Sequence, residues 1–266
     1  MSKKREEIIQ QRKERLGEIK LNKEGCLMKI IEYNNVHDII VEFQDDYRYT
    51  VHTNYNAFLK GNVKNYYFNS IYGIGRIGSK YKISSNRIYT KEYVTWNNML
   101  RRCYDEEYKD KHETYKSVIC CAEWLLYENF YEWLHSQENF DKWLNEEGWA
   151  LDKDILVKGN KIYSPETCYL IPNYINKLFT KSDRKRGDLP IGVSRKNNKF
   201  QSSCLNPFTK KQEYLGIYNT SEEAFYVYKK YKEEIIKQLA HFEYSKNNIN
   251  SACYEAMINY IVEIDD

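Results

Sequence analysis

Nowhere in its 266 residues does the sequence reach the run of about 18 apolar residues that a membrane-spanning helix needs, so no membrane partner is expected. The amino-terminal stretch MSKKREEIIQQRKERLGEIK lacks the apolar core of a secretory signal. Seven cysteines make an odd number at irregular spacing, and no two stand as C-x-x-C. That excludes the spacing of a zinc knuckle or a redox pair. A P-loop is also missing: YGIGRIGSKY carries Gly73, Gly75 and Gly78 without the G-x-x-x-x-G-K-[ST] pattern or the helix that should follow, so it reads as a turn or linker. The expectation is a soluble, intracellular chain with reduced thiols.

Aromatic residues are plentiful at 15%, with 26 tyrosines. Tyrosine joins an apolar ring to a polar tip, which suits wet interfaces and bases as well as cores. Net charge is only +3, yet its distribution is uneven. From Lys181 to Lys211 there are nine basic residues against Asp183 and Asp188, and no histidine. A basic cluster of this size suits a polyanion.

The hydrophobic pattern changes period along the chain. REEIIQQRKERL reads as a short helix or arm within residues 1–20. GCLMKIIEY, DIIVEF and YRYTVHT are β-rich runs separated by turn residues, a small antiparallel module over residues 21–89 together with the glycine stretch. Residues 90–147 turn helical: Thr90 is placed as an N-cap, and Tyr93, Trp96, Leu100 and Cys103 recur at helical spacing. A second aromatic stripe runs through Trp124, Tyr127 or Glu128, Tyr131 and Leu134 or His135, at three- to four-residue intervals. Residues 187–245 read as three strands, about Ile191 to Arg195, Phe200 to Leu205 and Gln212 to Tyr218, followed by a helix. Thr220 or Ser221 ahead of Glu222 and Glu223 gives that helix a capping signal. Residues 246–266 hold a last helix whose apolar stripe either caps the protein or pairs two chains.

The elements IGVSRKNNKFQSSC and YLGIYNTSEEAFYVYKK, in that order and spacing, resemble the AP2/ERF-type DNA-binding domain. The resemblance implies a three-stranded sheet lying in the major groove with the helix behind it. Arg195, Lys196, Lys199, Gln201 and Ser203 would then read or clamp DNA, with Lys210 and the linker residues Arg184, Lys185 and Arg186 crossing phosphates. Gln201 and Ser203 share one face by alternation, with Phe200 and Ser202 on the other; which face meets DNA stays open.

Upstream, WNNMLRRCYDEEY, ICCAEWLLYENFYEWL and LDKDILVKGNKIYSPETCYLIPNYIN are similar to phage and mobile-element proteins related to HNH endonucleases, over residues 90–180. Carried over, the likeness puts Asp152 at the first-strand metal position, Lys153 where the histidine base would stand, Asn160 in the turn, and Asn173 or Asn176 on the helix. Asp152, Asp154 and Asn173 would hold Mg²⁺ or Mn²⁺, the two aspartates sharing one strand face. No histidine lies between Asp152 and Asn176, and a protonated lysine is a poor base. His112, His135 or Tyr163 would have to replace it.

The expected fold class is therefore α+β: a small β-rich module, a helical and ββα HNH-like centre, and an AP2-like sheet with its helix. The expected function is binding of double-stranded DNA in the cytoplasm of a bacterial host, by a phage or mobile-element protein whose HNH-like module cuts phosphodiesters. A catalytically inert DNA-binding regulator, an adaptor or inhibitor directed at a host protein, and a homodimer stay open as alternatives.

Overall fold

The computed structural model describes residues 3–179 and 188–264. The architecture is mixed α+β, with several small sheets and helices. By compactness the chain divides into two units, Met1–Lys116 with Ala122–Glu132, and Ser117–Cys121 with Trp133–Asp266. Both the ββα stretch and the three-stranded sheet fall in the second. Among the described residues no helix is long and apolar enough to cross a membrane.

In the first unit, helix α1 (Lys3–Arg15) leads into a four-stranded antiparallel meander of β1 (Ile19–Leu21), β2 (Leu27–Asn35), β3 (Asp38–Phe43) and β4 (Thr50–Thr53). Alternation along β3, and along β2 with a bulge between Ile30 and Glu32, buries Met28, Ile30, Tyr33, Ile39, Val41 and Phe43 on one face, where Phe58 of helix α2 (Tyr55–Leu59) joins them. Burying each of these side chains is worth about 1.5–3 kcal/mol. After the short pair β5 (Ser84–Ser85) and β6 (Ile88–Tyr89), helix α3 (Lys91–Tyr104) opens at Thr90, whose hydroxyl accepts from the Tyr93 amide at 3.2 Å. Tyr93, Trp96, Leu100 and Cys103 are all buried, as their spacing predicts.

The glycine stretch has a packing reason. Its letters do follow G-x-G-x-x-G, but no long strand precedes it and no helix follows directly. A Cβ on Gly75 would stand 2.5 Å from the Leu100 side chain, and one on Gly78 would strike the Glu128 carboxylate. Glu128 fills that space and accepts from the Lys80 amide at 2.6 Å. A buried carboxylate there is opposite in charge to what a phosphate requires.

Helix α4 (Glu106–Lys111) follows α3 as a separate short helix. The second aromatic stripe is not one helix: Trp124 lies on a 3-10 turn, and α5 runs Tyr127–His135. In the second unit come β7 (Ile119–Cys120), α6 (Phe140–Asn145), β8 (Trp149–Asp152), β9 (Ile162–Tyr163), β10 (Tyr169–Pro172) and α7 (Asn173–Leu178). β8 and β10 pair antiparallel, while β7 and β9 form a short parallel pair that the sequence pattern does not announce.

The last sheet orders β11 (Val193–Lys196), β12 (Lys199–Asn206) and β13 (Lys211–Tyr218). Asn197 and Asn198 have φ of 46° and 60°, and two such residues close a hairpin whose twist matches its strands. Behind the sheet runs the long helix Ser221–Ser245, started by a full capping box between Thr220 and Glu223. Its first half buries Ala224, Phe225 and Tyr228 against Val193 and Cys204. Its second half, through Ile236, Leu239 and Ala240, enters a different core with Ile155, Tyr169, Ile171, Ile175 and Leu178. The C-terminal helix Ser251–Ile258 adds Cys253 and Met257 to that core, so it caps its own chain. The tail beyond it returns along the long helix and buries Val262 in the sheet's core. One helix thus belongs at once to the sheet and to the ββα stretch.

Candidate functional site: a closed turn and an open sheet face

Two places gather the residue types that carry chemistry, and both lie in the second unit. The first is the loop after β8. Asp152 is the last residue of that strand and is buried. Its Oδ1 accepts from the Ile155 amide at 2.8 Å and the Asp154 amide at 3.3 Å, the geometry of an aspartate that stabilises a turn. Burial pushes its carboxyl above the usual range and the Asp154 charge adds to this, while the two amides and Lys153 pull the other way.

Lys153 is buried as well. Its Nζ donates to both Asp154 oxygens, at 2.8 and 2.7 Å, and to the Asn160 carbonyl at 2.6 Å. Asn160 closes the loop: its Nδ2 reaches the carbonyls of Lys153 (2.8 Å) and Ile162 (2.7 Å), and its Oδ1 accepts from the Ile162 amide at 3.1 Å. Asp152, Lys153, Asp154 and Asn160 do meet, as the sequence suggests. They meet as a self-satisfied turn.

The expected sharing of one face by Asp152 and Asp154 rests on strand alternation, and β8 ends at Asp152, so alternation does not extend to Asp154. Asn173 is held at the other end of the hairpin. Asp152 pairs with Tyr169, Trp149 pairs with Pro172, and the Asn173 amide donates to the Gly148 carbonyl at 2.6 Å. Four residues of strand, about 10 Å, separate those ends. Asn176 lies mid-way along α7. The donor set as arranged does not fit Mg²⁺ or Mn²⁺, because an ammonium engages both oxygens of Asp154 and two amides engage Asp152 Oδ1. Among the described residues, no three His, Cys, Asp or Glu side chains group as metal ligands.

The proposed substitutes for the missing base are packed on rings. His135 lies 3.9 Å from Phe140 between centroids, and His112 contacts Tyr108 and Tyr115. Tyr163 is buried with the Lys153 ammonium 5.9 Å from its ring centre. Cys168, close behind, is pushed up to about 12 by burial and is no thiolate nucleophile.

The second place is the β11–β13 sheet. Residues paired across antiparallel strands share a face. Phe200, Ser202 and Cys204 point to the helix, and Arg195 pairs with Phe200 and lays its guanidinium over that ring at 5.3 Å. Arg195 is therefore on the helix side. Gln201 pairs with Ser194 and Ile217, Ser203 with Tyr214, Leu205 with Gln212, and Lys196 with Lys199, all outward. No carboxylate stands at these outward positions; Glu213 pairs with Cys204 on the helix side. Tyr214, Leu205 and Ile217 are 60%, 47% and 41% exposed.

Of the DNA-contact expectations, Lys196, Lys199, Gln201 and Ser203 share the open face, and Lys210 sits in the β12–β13 turn with φ of 56°. Arg184, Lys185 and Arg186 lie outside the described residues. Sequence reasoning missed Tyr214 and Ile217. They are three residues apart, so strict alternation sets them on opposite faces. A bulge opposite Ser202 and Ser203, at Gly216 with φ of 129°, brings both outward.

Comparison with known proteins found no matching family model, no matching curated protein and no matching solved structure.

Proposed function

We propose that this chain binds double-stranded DNA through the outward face of the β11–β13 sheet, and that the ββα stretch is the framework holding that sheet's helix. One observation carries the reading: an open sheet face with lysines at its hairpin end, exposed apolar and amide side chains along it, and no carboxylate. The major groove, about 12 Å wide, admits a two-stranded β-ribbon, and the β11–β12 hairpin that carries both lysines is such a ribbon. Lysines there attract phosphates by releasing counterions. The AP2/ERF-type resemblance agrees with this use of the sheet. An adaptor for a host protein would be favoured by an acidic patch over this face, and among the described residues the outward strand positions carry no carboxylate.

The HNH-like resemblance is read as shared shape, strand, loop, strand and helix, with the loop's polar groups turned to internal hydrogen bonds. Phosphodiester hydrolysis needs an activated water and charge stabilisation at the phosphate, and here the lysine, both aspartates and the asparagine are already engaged with one another or with backbone.

Titration of labelled duplex with the full chain tests the binding half. The expected result is affinity falling linearly in log–log form with salt, by about 0.9 per phosphate contacted. Salt-independent or undetectable binding overturns it. Incubating plasmid with Mg²⁺ or Mn²⁺ tests the framework half. Intact DNA is expected, and cleavage that disappears in Asp152→Ala would assign hydrolysis to the loop instead. The full chain is needed because Val262 completes the sheet's core.

A further inference from the structure

The outward sheet face is unequal along its length. Among the described outward positions of the three strands, cations stand at the hairpin end, where Lys196 and Lys199 pair across the Asn197–Asn198 turn. Its centre is neutral. Gln201 stands there with Ile217 as its direct cross-strand partner, their side chains about 5 Å apart on the same face. Among the described residues the Gln201 carboxamide makes no hydrogen bond, whereas the Gln212 Nε2 is held by Ser203 Oγ at 3.1 Å. The one arginine of the three strands, Arg195, is turned to the helix side over Phe200.

These placements match one kind of base pair. Guanine is read chiefly by arginine or lysine reaching O6 and N7, and the centre of this face has neither. Adenine offers an acceptor at N7 and a donor at N6, which a carboxamide meets with its own donor and acceptor. Its partner thymine adds a methyl group in the same groove, which suits an aliphatic side chain. We infer that the Gln201–Ile217 pair selects an A·T base pair in the major groove, Gln201 on adenine and Ile217 on the thymine methyl, while Lys196 and Lys199 hold the flanking phosphates.

This inference rests on the DNA-binding reading, and the experiment separates the two. Duplexes with a randomised core are selected on the full chain, and the bound fraction is sequenced. Enrichment of A·T at one position or more is expected, with exchange for G·C there weakening binding about tenfold. Gln201→Ala should shrink that preference to the part that Ile217 supplies through the thymine methyl, and leave the salt slope unchanged. Replacing thymine by uracil at the selected position removes the methyl alone. It should weaken binding to the unmodified protein and leave Ile217→Ala indifferent. Binding without base preference, with a G·C preference, or with an A·T preference undiminished by Gln201→Ala overturns the inference and leaves DNA binding standing. No binding to any duplex overturns both.

Discussion

The turn after β8 and the outward face of β11–β13 hold similar residue types and use them in opposite ways. In the turn, Lys153, Asp154 and Asn160 are tied to one another and to backbone carbonyls within seven residues of chain. On the sheet, Lys196, Lys199 and Gln201 point outward and take no part in closing the core. A buried polar group left without a partner costs about 1–3 kcal/mol, whereas an exposed one is satisfied by water. Removing a residue should therefore damage the fold in the first place and only the binding in the second.

The largest expected effect concerns the sheet's seating. Gly192 has φ of 77°, and a Cβ there would fall 2.0 Å from the Tyr228 ring. Gly192→Ala should cost about 2–4 kcal/mol, combining an overpacked contact with a left-handed backbone. A urea unfolding curve reads this directly. An unchanged midpoint would mean that the long helix does not press on β11, and the sheet would lose the support that orients its outward face.

Next comes Asn160→Ala. It strips two donors from the carbonyls of Lys153 and Ile162 and an acceptor from the Ile162 amide, and should lower stability by about 1–3 kcal/mol. Gln201→Ala, an amide of similar size on the open face, should stay within about 0.5 kcal/mol of the unmodified protein. Equal losses at both positions would erase the distinction between closed turn and open face.

Much of this was legible from the chain itself, where local rules govern. The capping box at Thr220, the Asn-Asn hairpin and the apolar stripe at Ala224, Tyr228, Ile235 and Leu239 follow from neighbours within a few residues. What local rules cannot carry is long-range closure. Val262 reaching the sheet's core and the parallel β7–β9 pair join residues far apart in sequence. The same limit hides the fate of Asp152. Its type and position suggest a ligand, but only the paths of the Asp154 and Ile155 amides reveal it as a turn cap.

Asp152 also sharpens the comparison through pH. Burial sets its folded pKa above an aspartate's ordinary value of 3.8, so the folded state binds the proton more tightly than the unfolded chain does. Its share of stability is present below 3.8 and is lost as pH rises through the folded value. Asp152→Asn keeps an oxygen acceptor for the two amides and removes the charge. Relative to the unmodified protein, the variant should therefore gain stability as pH rises above 3.8 and hold that gain, without further growth, once the Asp152 carboxyl is fully ionised in the folded state, read from denaturation midpoints at each pH. A variant that instead loses ground as pH rises would mean that the two amides hold the ionised carboxylate more strongly than burial disfavours it, and the raised carboxyl would be overturned.

The smallest effect on the fold, and the most specific to the open face, is expected from Lys199→Ala and Lys196→Ala. Both residues are exposed at the hairpin end and pair only with each other across the strands. Unfolding midpoints should move by less than about 0.5 kcal/mol. Duplex affinity should fall alike for every sequence, and each substitution should reduce the salt slope by about 0.9 if that lysine neutralises one phosphate. The corresponding change in the turn, Lys153→Ala, should do the reverse: it leaves the Asn160 carbonyl without its donor and Asp154 without its cation, lowering stability with the salt slope unmoved. A lysine that changed both quantities would belong to neither description.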